Sequence, residues 1–441
     1  MSMVNSIDYL ITNGFIITMN SHGTQIENGY IAINDGKIIE LGENDKINPQ
    51  YRPRKKIDAK GRFIIPGLIN SHTHGADVLF RGLVEDLPLE KWLQKLWKVE
   101  NQFVTGETVY WGSLLSYIEM VKGGITTATD MFFYVESMIR AAKILGFRLI
   151  TGPVFLESRD HDEFKIKEEL SKAKEFLDNN KNSSLLRLCL QPHSIYTVSP
   201  NFLRRIGELA KENDCLLAIH ASETKNEVKY SIDHYNCSPI QHLDDLGLLS
   251  NKTILAHCVH LIDDDYKILA KRDSIVSHCP ISNLKLGSGI ANIQKMIEAN
   301  ISVTLGTDGP VCCNDLNPWF TLRLAAMLQK TLGENTAILP ANEVLQLMTS
   351  EAAKSLSLSD KIGSLEVGKL ADILIIDNSQ AHALPMYDPY SSLIYSIGRE
   401  DVYSVFINGQ LIMDERRILV LDENLVKKEI NNIEEKIKMS V

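Results

Sequence analysis

The sequence of 441 residues lacks the features of exported and membrane-bound proteins. No run approaches the roughly 20 apolar residues that a membrane-spanning helix needs. Residues 1–6 have neither the basic region nor the apolar region of a signal peptide. Low-complexity segments are also missing. We therefore expect a cytoplasmic protein that does not bind a membrane.

Two further features that the sequence lacks limit the kinds of partner that we expect. The seven cysteines include no CxxC pair, and several lie inside apolar runs, where a free thiol behaves as a small apolar side chain. A basic face is missing too, and the net charge is −10. Because nucleic-acid binding needs such a face, we expect a small-molecule substrate and no nucleic-acid partner. We also expect reduced cysteines and a homo-oligomer.

Eight short apolar runs are the main feature that the sequence does contain. Their β-branched residues are typical of parallel strands buried on both faces, and roughly 20–60 residues between run ends leave room for a helix. The sequence therefore predicts an α/β fold, a (β/α)8 barrel. The runs are FIIPGLINSHTH (63–74), TTATDM (126–131), RLITGPVF (148–155), LRLCLQPH (186–193), CLLAIH (215–220), TILAH (253–257), SIVSH (274–278) and SVTLGTD (302–308).

Residues of metal-binding type end most of these runs. In such barrels the C-terminal ends of the strands carry the chemistry, because the loops there vary while packed side chains fill the interior. The strand ends are thus predicted to converge on one catalytic metal. The residues concerned are His72, His74, His193, His220, His257, His278 and Asp308.

The two ends of the chain predict a second, smaller domain. A barrel takes roughly 250 residues, so a chain of 441 has a surplus. Short β-type runs occur within 7–60 and 363–415, and neither block is large enough to make a convincing sheet alone. We expect them to pair into one small β-sandwich. The predicted boundaries are 1–62 and 363–420 for the sandwich, 63–362 for the barrel and 421–441 for a charged C-terminal helix.

The strongest local motif is His72-Thr73-His74. Side chains at positions i and i+2 of an extended segment point the same way, so both imidazoles can bind one ion. The pair alone is a weak signal, and its place at the end of the first strand strengthens it. His220 is predicted to supply a third nitrogen ligand. Asp308 is predicted to be the fourth ligand, because a carboxylate that ends a buried strand needs a cation or a donor.

Glu223 and His257 are the predicted catalytic residues beside the metal. Glu223 follows His220 where the chain turns over the barrel mouth, and a carboxylate there can carry protons for a bound water. The alternative is an acidic residue that stabilises a helix start. His257 is predicted to polarise the nucleophile or the developing alkoxide. His260 is predicted to be structural, and the role of His278 stays open.

Together these segments resemble the amidohydrolase superfamily. Within it the chain is similar to the branch that holds the 5′-methylthioadenosine/S-adenosylhomocysteine deaminases and the chlorotriazine hydrolases. The resemblance extends over essentially the whole chain. It rests on PGLINSHTH, LFRGLVEDLPLEKWL, QPHSIYTVSP, IHASET, AHCVHL, SHCPISNLKLGSGI, VTLGTDG and GSLEVGKLADILIID.

The resemblance implies one divalent metal per chain, usually Zn²⁺, with Fe²⁺ or Mn²⁺ as alternatives. Glu223 would move protons between water and a ring nitrogen, and His257 and Asp308 would take the proton of the hydroxide and stabilise the tetrahedral oxygen. The reaction implied is hydrolytic deamination of a cyclic amidine, without a covalent enzyme intermediate. The implied metal ligands are His72, His74, His220 and Asp308.

The resemblance also implies a substrate class. In members that deaminate nucleosides, the glutamate at the place of Glu100 holds the ribose hydroxyls, and the histidine at the place of His193 also contacts the substrate. Otherwise Glu100 is a surface charge of a helix and His193 a structural histidine. The expected substrates are 5′-methylthioadenosine, 5′-deoxyadenosine and adenosine, with S-adenosylhomocysteine less expected, and the products are ammonia and an inosine-type nucleoside.

Two segments depart from the family pattern. Members that take S-adenosylhomocysteine place arginines after the third strand, whereas this chain has GP at 152–153 and ESRD at 157–160. After LGTDG the family runs through small residues to paired asparagines, whereas this chain has PVCCND at 310–315. Cys312 and Cys313 either line the pocket or serve in packing. Gly306 and Gly309 are expected to leave space for a ligand.

Three other functions stay open at this point. The chain could be an aminohydrolase or chlorohydrolase of a free base or s-triazine, such as guanine, 8-oxoguanine, cytosine, melamine or atrazine. Cyclic-amide hydrolases share the barrel, but they often use two metals and a carboxylated lysine of the fourth strand, where this chain has His193. A non-enzymatic scaffold is the remote alternative, since it has no reason to keep all these groups.

Overall fold

Strands form the core of the computed structural model, which describes residues 5–87, 89–157, 162–181 and 183–440. The N-terminal strands are β1 (Asn5–Ile17), β2 (Gln25–Asn34), β3 (Lys37–Glu43), β4 (Tyr51–Asp58) and β5 (Phe63–Pro66). The middle of the chain forms β6 (Leu68–Thr73), β7 (Ile125–Asp130), β8 (Arg148–Thr151), β9 (Val154–Phe155), β10 (Leu186–Pro192), β11 (Leu216–Ala221), β12 (Thr253–His257), β13 (Ile275–His278) and β14 (Ser302–Leu305). The C-terminal strands are β15 (Ile373–Ile376), β16 (Val402–Ile407), β17 (Gln410–Asp414) and β18 (Arg417–Ile418).

The middle strands form the predicted parallel barrel. Their order is β6-β7-β8-β10-β11-β12-β13-β14, and the short β9 pairs with β10. The first and last strands meet, because the amide of Asp308 donates to the carbonyl of His72 at 3.0 Å and Ser71 Oγ donates to the Leu305 carbonyl at 2.8 Å. The (β/α)8 prediction is therefore confirmed, with the eight runs in the expected order.

Helices follow the barrel strands and cover its outside. A 3-10 helix over Gly75–Phe80 comes directly after β6. The α-helices are α1 (Leu89–Phe103), α2 (Gly106–Lys122), α3 (Val135–Leu145), α4 (Glu163–Asn180), α5 (Pro200–Glu212), α6 (Lys225–Tyr235), α7 (Pro239–Asp245), α8 (Asp263–Arg272), α9 (Pro280–Lys285), α10 (Ile293–Glu298), α11 (Pro310–Cys313), α12 (Pro318–Leu332), α13 (Ala341–Gln346), α14 (Ser350–Ser355), α15 (Pro389–Ser391) and α16 (Glu423–Lys438).

Two apolar layers hold the barrel together. Alternate residues of the strands point to opposite faces, so one set fills the interior and the other packs against the helices. The interior set includes Ile69, Ile150, Leu216 and Ile254, all of them buried. The burial of each such side chain contributes about 1.5–3 kcal/mol relative to exposure. The strand backbones that carry the site are therefore rigidly placed.

The two ends of the chain form one nine-stranded sheet. Its order is β18-β17-β16-β15-β5-β1-β2-β3, and β4 pairs with β1 in parallel. β5 joins the two halves, because it is parallel to β1 and antiparallel to β15. The sheet has an apolar core of its own, which includes Ile11, Ile31, Ile373 and Phe406. A small β domain built from both ends is thus confirmed, and its exact boundaries stay a prediction.

The run at 63–74 forms two strands, and its prediction as one barrel strand is wrong. Residues 63–66 belong to the end sheet, and only residues 68–73 enter the barrel. Gly67 lies between them, and a Cβ on this residue would collide with the side chain of Thr126 in β7. Glycine therefore lets the chain pass from one sheet to the other while β6 lies close to β7.

The predicted C-terminal helix is present as α16. Its buried residues Val426, Ile433 and Ile437 lie on one side, and Glu423 Oε2 is 2.7 Å from Lys122 Nζ of α2. In the described residues, no helix combines the length and the apolar character that a membrane span requires.

Candidate active site

The ends of β6 and β14 bring two histidines and an aspartate together. The Nε2 atoms of His72 and His74 lie 3.5 and 3.4 Å from Asp308 Oδ1. His74 Nδ1 is 2.7 Å from the carbonyl oxygen of Met131, to which it donates. That bond places the hydrogen on Nδ1 and leaves the lone pair of Nε2 directed at the carboxylate. Both histidines thus present a ligand atom on the same side of the barrel mouth.

His220 completes this group from the end of β11. Its Nδ1 donates to the carbonyl oxygen of His193 at 2.8 Å, so its Nε2 carries the lone pair. This Nε2 lies only 3.2 Å from Nε2 of His74. Two nitrogen lone pairs at this distance repel each other unless a cation lies beside both.

The group fits a divalent metal ion. Candidate ligand atoms of His72, His74 and Asp308 lie within 4.8 Å of one another, as do those of His72, His220 and His257. His72 Nε2 is buried, and no described residue forms a hydrogen bond with it. Three imidazole nitrogens and one carboxylate oxygen are a typical donor set for zinc. The predicted ligands are therefore brought together, and His257 lies at the edge of the same group.

Burial and neighbouring groups together set the protonation of these ligands. It lowers the pKa of His72 to about 4 and holds the pKa of His220 well below its ordinary value. For Asp308 burial opposes ionisation, but His72 and the other nearby histidines outweigh it and hold the pKa well below the usual range. Neutral imidazoles and an ionised carboxylate are the forms that bind metals.

Glu223 and His257 face each other beside the metal-binding group. Glu223 Oε1 accepts a hydrogen bond from Ser288 Oγ at 3.1 Å, and Glu223 Oε2 lies 3.9 Å from His257 Nε2. His257 Nδ1 donates to Asn283 Oδ1 at 2.8 Å. Burial opposes protonation of His257, but Glu223 and Asp308 outweigh it and raise its pKa. The site thus holds a buried acid–base pair next to the ligands.

Backbone strain marks two of these positions. The φ angles of His257 and Asp308 are 77° and 64°, in the left-handed region that is costly for residues with a Cβ. The amide of Gly309 donates to Asp308 Oδ1 at 2.8 Å, which fixes the carboxylate. Such strain is often found where a side chain is held for function.

A pocket opens over the group. Its floor includes His74, His220, Glu223, His257 and Asp308, and its walls include Trp92, Trp97, Phe132 and Phe133. The predicted substrate residues also line it: Glu100, from α1, and His193, from the end of β10. Nδ1 of His193 lies 3.0 Å from Thr197 Oγ1. The predicted site residues other than His72 therefore line one cavity, and His72 Nε2 lies 3.5 Å from Asp308 Oδ1 beneath it.

Sequence reasoning missed Asp77 at this pocket. Asp77 and Glu100 are 4% and 8% exposed, and their carboxyl groups are in hydrogen-bonding contact. Burial raises the pKa of both residues. A contact between two carboxyl groups requires a proton between them. No local motif points to Asp77, because its partner lies on a different helix.

Asn283, Ser288 and Glu227 were also missed, although the sequence carries a signal for each. The first two lie in the segment SHCPISNLKLGSGI. Glu227 follows Thr224 by three residues, the spacing of a capping box. Its carboxylate accepts the amide hydrogens of Ser222 and Glu223 at 2.9 and 2.7 Å.

The structure shows the surroundings of the residues whose roles the sequence left open. His260 Nε2 donates to the Ser288 carbonyl at 2.7 Å, and its structural role stays a prediction. His278 is fully buried, and neither ring nitrogen has a hydrogen-bond partner among the described residues. Cys312 lines the pocket, whereas Cys313 donates to the carbonyl oxygens of Gly309 and Asp315 at 3.1 and 3.0 Å. All seven cysteines are free.

The space at Gly306 and Gly309 is not left for a ligand, and that prediction is wrong. A Cβ on Gly306 would lie 2.9 Å from the Cβ of His72, and one on Gly309 would lie 2.8 Å from Asp77 Oδ2. The two glycines make room for neighbouring side chains and strand ends. Residues 158–161, which include most of the ESRD segment, lie outside the described residues.

The chain is similar to known proteins over almost its whole length. A model of the amidohydrolase family matches residues 63–412. A 5-methylthioadenosine/S-adenosylhomocysteine deaminase of Syntrophobacter fumaroxidans is 35% identical over 431 residues, 98% of each chain. A 5′-deoxyadenosine deaminase of Methanosarcina acetivorans is 38% identical over 435 residues, again 98% of each chain.

Solved structures give the same result. An adenosine deaminase from Xanthomonas campestris with bound zinc has a TM-score of 0.94 at 30% identity, covering 99% of both chains. An atrazine chlorohydrolase from Arthrobacter aurescens, a mutant in complex with zinc and atraton, has a TM-score of 0.90 at 23% identity, over 97% of this chain and 100% of that one. This second likeness shows the fold alone. The chain belongs to the amidohydrolase family.

Proposed function

We propose that the protein is a metal-dependent hydrolytic deaminase of adenosine-type nucleosides, which releases ammonia and an inosine-type product. The observation that carries the proposal is the buried Glu223–His257 pair beside three histidines and Asp308, at the floor of an aromatic pocket. Full-length relatives that are named as deaminases of such nucleosides support it.

Zinc is the metal that we propose for the site. His72, His74, His220 and Asp308 would hold it, and the solved relative from Xanthomonas campestris contains zinc. When bound, such an ion lowers the pKa of a water to about 7 and so supplies a nucleophile at neutral pH. His257 lies near the same atoms, but its contacts with Glu223 and Asn283 suit a residue that acts on the nucleophile.

Glu223 is proposed to carry the proton. Its Oε2 is free to protonate the ring nitrogen next to the carbon that loses the amino group, while Ser288 fixes its Oε1. Protonation there removes the cost of negative charge on the ring. His257 and Asp308 would then accept the proton of the nucleophile and stabilise the oxygen of the tetrahedral species. That proton would pass on to the amino group, which departs as ammonia, and the ring carbon becomes a carbonyl.

Glu100 and His193 are proposed to hold the sugar. Glu100 lines both the site pocket and a neighbouring cavity, whose other walls include Trp97, Phe133, Tyr134 and Leu156. No lysine or arginine lines either cavity in the part of the chain that is described. An apolar 5′ substituent fits such walls better than an amino-acid carboxylate does. We therefore place 5′-methylthioadenosine, 5′-deoxyadenosine and adenosine ahead of S-adenosylhomocysteine.

A substrate panel tests the proposal. Ammonia release should be fastest with one of these nucleosides, compared with guanine, cytosine and triazines. Glu100→Ala should lower kcat/KM for the nucleoside by about 10²-fold or more, since charge-assisted hydrogen bonds contribute about 1.5–3 kcal/mol each. Gln102→Ala, an exposed change on the same helix, is the control. Faster turnover of a free base or triazine, with Glu100→Ala harmless, would refute the nucleoside assignment.

The expected oligomer stays a prediction. Light scattering of the purified protein would measure its mass directly. A mass of 49.6 kDa, that of one chain, would contradict the expected homo-oligomer.

A further inference from the structure

The loop that carries Glu223 is held by a second buried glutamate. After β11 the chain turns at Ser222, whose φ is 53°, and Thr224 is the N-cap of α6. Glu227, in the first turn of that helix, accepts the amide hydrogen of Ser222 with Oε1 and that of Glu223 with Oε2, at 2.9 and 2.7 Å. Its own amide donates to Thr224 Oγ1 at 3.1 Å. One carboxyl group thus fixes two consecutive peptide groups.

This arrangement goes beyond ordinary helix capping. In a capping box the acidic side chain of the first turn returns to the amide of the N-cap residue. Glu227 instead passes Thr224 and reaches the two residues before it. The left-handed backbone of Ser222 is strained and persists only where the surroundings hold it. The Ser222 carbonyl also accepts the amide hydrogen of His260 at 2.9 Å, so the loop is fixed from two sides.

The position is costly for the fold. Glu227 is 5% exposed and lies beside a second acid, Glu223. Burial raises the pKa of Glu227 to about 7, although its two amide hydrogen bonds oppose the shift. A buried carboxyl group next to another is expensive to keep. Its two hydrogen bonds to the loop before α6 point to a role beyond the stability of that helix.

We propose that Glu227 is a positioning residue, whose two hydrogen bonds place the carboxylate of Glu223 between Ser288 and His257. The inference rests on the proposed role of Glu223 as the proton carrier. Glu223 must hold Oε1 at 3.1 Å from Ser288 Oγ and Oε2 at 3.9 Å from His257 Nε2, and its side chain follows its backbone. A displacement of about 1 Å at a reacting group can lower the rate by about 10²-fold.

The first test compares Glu227→Gln with a matched control, Asp265→Asn. Glu227→Gln keeps the size of the side chain but has one acceptor oxygen, so one of the two amides loses its bond. Asp265→Asn is the control, because Asp265 is equally buried in the first turn of α8 and accepts the amide hydrogen of Ile262 at 2.9 Å, away from Glu223. With 5′-deoxyadenosine, Glu227→Gln should lower kcat by about 10- to 100-fold and change KM little. Asp265→Asn should lower only the melting temperature.

The second test combines substitutions. In a Glu223→Gln background there is no proton carrier left to position, so adding Glu227→Gln should change kcat by less than about threefold. A purely structural role would give the same loss in both backgrounds. Amide hydrogen exchange gives a readout that needs no substrate: in Glu227→Gln, the amide of Ser222 or Glu223 that loses its bond should exchange faster, with the metal content unchanged. If Glu227→Gln fails to fold, Glu227→Asp, which keeps the charge but is shorter, takes its place.

The outcomes separate the two hypotheses. A large kcat loss in Glu223→Gln together with normal kcat in Glu227→Gln would overturn the positioning role alone. Equal losses from Glu227→Gln in both backgrounds would also overturn it. Full activity of Glu223→Gln would overturn both this inference and the proposed proton carrier.

Discussion

At the scale of single residues, the neighbours of each side chain decide its chemistry. His72 and His257 have the same side chain and are both buried, yet burial lowers the pKa of the first while two carboxylates raise that of the second. The difference follows from the position of Glu223, which lies against His257. One residue type can therefore supply both a neutral ligand and a group that is ready to be protonated.

Removal of a ligand should remove the metal. The purified protein should contain about one divalent ion per chain, because the four donor atoms form one site. His72→Ala and Asp308→Ala should both lose the ion and the turnover. His234→Ala changes an exposed histidine and should keep both. Elemental analysis with an activity assay measures the effect, and a fully active metal-free preparation would contradict it.

His278 should make the stability of the protein depend on pH. Burial lowers its pKa from 6.5 to about 3, so the folded protein keeps this ring neutral where the unfolded chain protonates it. The contribution of the neutral His278 ring to the free energy of unfolding is fully present above about pH 6.5. It is lost as the pH falls toward 3, by about 1.4 kcal/mol per pH unit. His278→Gln should reduce that slope. Urea unfolding of the unsubstituted protein and of His278→Gln, both with metal removed by a chelator, measures this slope between pH 6.5 and 4. Identical slopes for the two proteins would contradict the prediction.

At the scale of secondary-structure elements, the close approach of β6 and β14 builds the site. Thr73 Oγ1 donates to the Asp308 carbonyl at 3.0 Å, and the Asp308 amide donates to the His72 carbonyl at 3.0 Å. These bonds join the strand that carries two ligands to the loop that carries the fourth. Gly306, which has no side chain, lies between them, close to the backbone of His72.

Gly306→Ala should therefore damage the site, although it replaces none of the proposed ligands. Its Cβ would lie 2.8 Å from Ser277 Oγ and 2.9 Å from the backbone oxygen of His72, so the strands must separate. We expect a loss of about 1–3 kcal/mol in stability and weaker metal binding. Gly42→Ala is the control, since its Cβ would meet Tyr30 at 3.4 Å, an ordinary contact. Melting temperature and metal titration measure both effects, and equal behaviour of the two variants would refute the explanation.

At the scale of the whole molecule, a buried ion pair joins the barrel to the end sheet. Arg148 begins β8, and its guanidinium donates twice to Asp372, which lies directly before β15. Asp372 Oδ1 also accepts the amide hydrogen of Asn408 at 2.7 Å. Arg148 and Asp372 are 4% and 2% exposed. Both charges are almost completely buried, so each depends on the other.

Arg148→Met should cost about 3–5 kcal/mol of stability, because it leaves the charge of Asp372 buried and unpaired. Adding Asp372→Asn removes that charge and keeps the acceptor for Asn408, so the double variant should be more stable than Arg148→Met alone. Lys267→Met, which breaks the exposed pair with Asp264, should cost less than about 1 kcal/mol. Urea unfolding midpoints test this, and a double variant less stable than the single one would contradict the argument.

The sequence by itself determined the barrel and the residues of the candidate metal site. Buried parallel strands require continuous apolar runs, and their C-terminal ends must meet at one face, so the order of the runs fixed which residues converge. His72, His74, His220 and Asp308 followed from that rule, since each stands at or directly after the end of such a run. These features depend on local pattern and on the order of the strands, and both can be read from a single sequence.

Only the tertiary structure decided the contacts between residues that no local pattern links. The pairing of Asp77 with Glu100, the division of the run at Gly67 and the close packing at Gly306 depend on where separate elements come to lie. The two hydrogen bonds of Glu227 needed the path of its loop as well as its spacing from Thr224. Distances and burial arise when the chain packs, and the protonation of each buried group depends on them.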